Sequence, residues 1–144
     1  MSKTINSLAE TLGNALSQCD AKVTAAESCT GGGVAHAITG VAGSSKWFDC
    51  GFVTYANSAK QAMLGVPQEI LASQGAVSEA VALAMAQGAL AHAAAQCSVA
   101  VTGVAGPTGG TPDKPVGTVW LAWCVGGRTW AVCHRFEGDR AAVR

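Results

Sequence analysis

The chain has 144 residues, 49% of them hydrophobic and 12% charged, with nine Lys and Arg balancing nine Asp and Glu. That balance leaves no basic field to hold nucleic acid or an anionic membrane, and so apolar a composition excludes a disordered chain. No apolar run reaches the roughly 18 residues that span a bilayer, which excludes a membrane protein.

Met1 to Leu16 lacks the basic and apolar regions of a signal peptide, so the cytoplasm is the expected compartment. Ile5, Leu8, Leu12 and Leu16 recur at helical spacing and predict a helix from Ser2 to Gln18. Lys22 to Glu27 then reads as a short strand entering the turn Ser28-Cys29-Thr30-Gly31-Gly32-Gly33, with a helix from Val34. Asp49 to Ala56 is rich in Phe, Val, Thr and Tyr and predicts a second strand. Asn57 is placed to cap a short helix carrying Lys60, and Pro67 to start another ending near Ser73. Ser78 opens an alanine-rich helix running to Ala95, followed by a strand over Ser98 to Val101 and the loop Thr102 to Gly110. Gly117 to Val125 and Thr129 to Phe136 flank Gly126-Gly127 as a hairpin, and Gly138-Asp139-Arg140 opens a last helix.

This order predicts one domain over residues 1–144, of the α/β class. The architecture is three-layer α/β/α, with a mixed, mainly parallel sheet of about five strands and a C-terminal antiparallel hairpin. The six cysteines include no Cys-x-x-Cys pair and read as buried free thiols rather than as disulfides or a metal site. Neither a metal nor a cofactor is expected.

Two strand ends carry loops suited to a ligand, Glu27 to Gly33 and Thr102 to Gly110. Ser28 stands where backbone N–H groups converge, which suits a nucleophile beside an oxyanion site, a phosphate contact or a plain helix cap. None of His36, His92 and His134 lies at a predicted strand end, so the base for a serine nucleophile would be a lysine. Lys60, just past the second strand, is the candidate; otherwise it is an exposed helix lysine. It would work only with its pKa lowered by burial or a nearby cation. Cys29 is a rival nucleophile on the same turn. Gly103 and Gly106 suit close backbone approach to a phosphate or carboxylate, or simply make a flexible turn. Arg140 suits a phosphate through its planar fork, or pairs with Asp139. Trp120, Trp123 and Trp130 on the hairpin suit core or subunit packing, and with the low charge they predict a homo-oligomer.

Five stretches, read together, resemble the CinA C-terminal domain family: Ala26-Glu27-Ser28-Cys29-Thr30-Gly31-Gly32, Gly51-Phe52-Val53-Thr54-Tyr55, Gly75-Ala76-Val77-Ser78, Thr102-Gly103-Val104-Ala105-Gly106-Pro107 and Lys114-Pro115-Val116-Gly117-Thr118-Val119. Stand-alone members of that family are nicotinamide-nucleotide amidases. The resemblance implies hydrolysis of the carboxamide of nicotinamide mononucleotide through a Ser-Lys dyad, Ser28 and Lys60, in pyridine nucleotide recycling. It further implies substrate contacts from Glu27, Cys29, Thr30 and Gly31 on the first loop and from Tyr55 and Asn57 after the second strand. Thr102, Gly103 and Gly106 on the second loop, and Arg140, complete that implied set. The partner is then a small-molecule nucleotide, with no nucleic acid and no membrane. The alternative is a non-catalytic nucleotide-binding or assembly module, since larger relatives fuse this domain to a second enzyme domain. The family also implies a final helix beyond Arg144 that packs on the sheet.

Overall fold

A computed structural model describes residues 3–144. Helix α1 (Ile5–Gln18) starts behind Thr4, whose side chain accepts a hydrogen bond from the Ser7 N–H; the expected start at Ser2 lies outside the described residues. Strand β1 (Val23–Glu27), helix α2 (Gly33–Thr39), a 3-10 turn (Ser44–Lys46) and strand β2 (Phe48–Val53) follow. Helices α3 (Asn57–Leu64), α4 (Gln68–Gln74) and α5 (Glu79–Ala91) lead to strands β3 (Cys97–Gly103), β4 (Thr118–Val125) and β5 (Arg128–Arg135), and α6 (Arg140–Val143) ends the chain.

The five strands form one sheet in the order β2-β1-β3-β4-β5, with β1 parallel to β2 and β3, and β4 antiparallel to β3 and β5. The sheet is mixed, and its parallel half is β2-β1-β3. Gly126 and Gly127 turn the β4–β5 hairpin with φ of 58° and 81°, the left-handed pair a two-residue type I′ turn needs.

Helix α5 packs on β3 and β4, and its buried Val81, Ala82, Met85, Ala86 and Ala89 meet Ala26, Ala100 and Ala122 on the sheet. Alanine on both surfaces lets helix and sheet approach closely, so dispersion contacts replace bulky interdigitation. On the opposite face Leu16, Val23, Ile38 and Trp47 form a second core between α1, α2 and β1. Toward β3 and β4 that face opens into a groove of about 970 Å³ whose apolar lining includes Leu8, Leu12, Val99, Trp123 and Val125.

Several boundaries differ from expectation for local reasons. Asn57 does not cap α3: Ala56 occupies the cap position with no side-chain bond, and Asn57 is the first helical residue. Helix α5 ends at Ala91 rather than Ala95 because His92 Nδ1 sits 2.7 Å from Gly88 O and Asp49 Oδ2 accepts from the Ala94 N–H, turning the chain into β3. Strand β2 stops at Val53, as the next residues bend to present their carbonyls to Lys60. All six cysteines are free, but only Cys29 and Cys124 are buried; Cys19, after α1, and Cys133, on the edge strand β5, are exposed. Among the described residues no helix is long and apolar enough to cross a membrane.

Candidate active site

Chain order reverses at β1, which pairs with β2 on one side and β3 on the other, so three parallel strands end side by side. Crevices outside such a reversal are where open α/β sheets hold ligands. Ser28 follows β1 there, its N–H donating to Val101 O at 3.0 Å. The Gly31 N–H donates to Ser28 O at 3.0 Å, and Gly31 and Gly32, at φ of 58° and 104°, swing the chain into α2 through conformations that strain other residues.

Ser28 is not a helix cap. The cap position of α2 is Gly32, and the Val34 and Ala35 N–H groups are taken by the Glu27 carboxylate, at 2.8 and 2.9 Å. The Ser28 hydroxyl faces Lys60 instead, with Nζ 3.0 Å from Oγ.

Lys60 is not an exposed helix lysine: it is 1% exposed. Its Nζ also donates to Thr54 O at 2.9 Å and to Tyr55 O at 3.0 Å. Burial lowers its pKa from the usual lysine value. A neutral amine has two N–H bonds and one lone pair. With the amine neutral, the two carbonyls would take both N–H bonds and leave the lone pair toward the Ser28 hydroxyl, an arrangement that suits a general base beside a nucleophile.

Around this pair lies a cleft of about 390 Å³. Of the expected residues, Ser28, Cys29, Tyr55, Asn57, Lys60, Thr102, Gly103, Gly106 and Arg140 line it. Glu27, Thr30 and Gly31 do not: the Glu27 carboxylate is turned onto α2, Thr30 Oγ1 donates to it, and the Gly31 N–H closes the Ser28 turn. Cys29 packs with Val101, Ala105 and Val119, and burial raises its thiol pKa, so it stays protonated and a poor nucleophile. Thr102 Oγ1 is committed to Ala76 O at 2.9 Å. Gly103 has no room for a side chain, since a Cβ there would lie 2.7 Å from Val119.

Arg140, behind the Asp139 cap of α6, spans the cleft mouth, donating to Gly106 O at 2.7 Å and to Tyr55 Oη at 2.9 Å. Guanidinium has five N–H bonds, so three remain for an anion. None of the three histidines lines the cleft. Among the described residues no three His, Cys, Asp or Glu side chains gather as metal ligands would. Sequence reasoning missed Ala76 and Val77, from the segment before α5, and within the expected second loop did not single out Val104, Ala105, Thr108 and Gly109. Ala76 and Val77 stand in one of the recognised motifs, but nothing in their side chains marks a site.

Residues 5–144 match the model of the CinA C-terminal domain. The chain belongs to the CinA C-terminal domain family. A curated member from Pseudomonas putida, nicotinamide-nucleotide amidohydrolase PncC, is 56% identical over 140 residues, which are 97% of this chain and 88% of that protein. The protein of the same name from Escherichia coli (strain K12) is 55% identical over 140 residues, covering 95% of this chain and 84% of its own. The crystal structure of competence/damage inducible protein CihA from Agrobacterium tumefaciens superposes with a TM-score of 0.94 at 45% identity, over 99% of this chain and 90% of that one. The α/β fold with its mixed five-stranded sheet is therefore that of the CinA superfamily.

Proposed function

We propose that this chain hydrolyses the carboxamide of nicotinamide mononucleotide to nicotinate mononucleotide and ammonia, with Ser28 as nucleophile and Lys60 as its base. The observation that carries the reading is the buried Lys60 Nζ held 3.0 Å from Ser28 Oγ by two backbone carbonyls. Amidohydrolases of that specificity at 55–56% identity support the substrate.

Neutral Lys60 takes the hydroxyl proton as Ser28 attacks the amide carbon. Backbone N–H groups of the turn that follows Ser28 stabilise the tetrahedral oxyanion. Lys60 then returns the proton to departing ammonia, and water, deprotonated by the same amine, hydrolyses the nicotinoyl ester. The three spare N–H bonds of Arg140, beside the glycine-rich second loop, receive the substrate phosphate.

Ammonia release from nicotinamide mononucleotide tests the reading. Ser28→Ala and Lys60→Ala should each lower kcat/KM by roughly a thousandfold or more, as loss of a nucleophile or its base does elsewhere. Wild-type rates in either variant would overturn the assignment of that residue. Saturable binding without turnover in the wild type would favour a nucleotide-binding module.

A further inference from the structure

Glu27 is 1% exposed and does not line the cleft, yet it immediately precedes Ser28. Its carboxylate accepts three hydrogen bonds, from Thr30 Oγ1 at 2.6 Å, the Val34 N–H at 2.8 Å and the Ala35 N–H at 2.9 Å. Every partner is a donor that follows Ser28 in the chain. Among the described residues no cation pairs with this buried charge, which makes it costly to keep unless its hydrogen bonds are needed.

We propose that Glu27 is a positioning residue: its carboxylate clamps the Ser28–Gly31 turn and so fixes the nucleophile against Lys60. Consecutive side chains on a strand point to opposite faces, so Glu27 faces α2 while Ser28 faces α3 and the cleft. The turn is thereby pinned from both sides of the sheet. The bond from the Ser28 N–H to Val101 O holds its start, and the carboxylate, gripping Thr30 and the first turn of α2, holds its end. Between those anchors lies Ser28 Oγ, whose direction toward Lys60 Nζ, 3.0 Å away, decides whether attack can occur. A neutral amide in place of the carboxylate would present an NH₂ group to backbone N–H donors and lose at least one anchor. The same bonds occupy the amides that begin α2, so the substrate phosphate must bind elsewhere, in keeping with Arg140.

The inference rests on the amidase reading for its kinetic test, and a chemical probe separates the two. Glu27→Gln and the milder Thr30→Val should lower kcat about 10- to 100-fold, the scale of a misplacement near 1 Å. KM should stay within about twofold, because neither side chain touches the cleft. Thr30→Ser, which keeps the hydroxyl, should restore kcat. The rate at which a fluorophosphonate modifies Ser28 should fall and recover in the same order, and this reads nucleophile geometry without amide turnover. Unchanged kcat and modification rate per folded molecule in Thr30→Val would overturn the proposal, as would a rise in KM at constant kcat. A wild type that reacts with the fluorophosphonate but releases no ammonia would reject the amidase reading alone.

Discussion

Lys60 owes its chemistry to having no counter-charge. Desolvation penalises its ammonium, and two carbonyls with one hydroxyl are its hydrogen-bond partners. With the neutral amine as the working form, kcat/KM rises with pH and levels off below the ordinary lysine value of 10.5. The sign for stability follows from proton binding. Between the lowered folded pKa and 10.5 the unfolded chain binds more protons than the folded one, so stability increases with pH across that window. A pH–rate profile and denaturant melts at matched pH values check both, with Lys60→Met expected to lose the stability slope over that window. An activity that falls as pH rises through the window would remove Lys60 as the base. The burial behind this was not legible in Asn57-Ser58-Ala59-Lys60, which reads as a polar helix face; it arises when α3 packs against α5 and the residues after β2 bring two carbonyls to Nζ. Ser28 was legible because strand, glycine turn and helix are local features. Glu27 was expected at the substrate because it stands in a motif of the family the sequence resembles, but strand alternation sends its side chain to the other face.

Helix α5 was legible in the sequence as an alanine-rich helix opened by Ser78, although its packing partners stay hidden there. At Gly88 it meets the end of α3: a Cβ added there would lie 2.0 Å from the Leu64 carbonyl oxygen. Two effects compete in Gly88→Ala. Alanine gains about 1 kcal/mol of helix propensity. The clash is with backbone rather than a rotatable side chain, so α3 must move, and overpacking of this kind costs roughly 1–3 kcal/mol or more. The clash wins, and the variant should lose about 1–2 kcal/mol by chemical denaturation. Because α3 carries Lys60, kcat should fall as well, with ammonia release read on the folded fraction. A stabilised variant with full kcat would show that the two helices have slack. No sequence signal marked Gly88, since its value lies in a contact with a residue 24 positions earlier. The hairpin at Gly126-Gly127 was legible for the opposite reason, because its turn is complete within two residues.

At the scale of the molecule, zero net charge and a pI near 6.8 mean that no long-range field gathers an anionic substrate. Attraction must come from the cleft itself, where Lys60 and Arg140 are the ionisable side chains and, on the proposed mechanism, Lys60 works as the neutral amine. One cation and oriented amides act over a few ångströms, well inside the Debye length of about 10 Å at 0.1 M salt. The association of nicotinamide mononucleotide should therefore depend weakly on ionic strength. Between about 0.05 and 0.5 M sodium chloride, kcat/KM should fall by no more than roughly threefold, far less than steered association shows. Arg140→Ala should raise KM and abolish even that dependence, whereas Arg140→Lys should keep the dependence but lose affinity with the planar fork. A steep salt dependence that survives in Arg140→Ala would place the phosphate against other cations. It would also mean that the even balance of nine basic and nine acidic residues conceals an asymmetric surface.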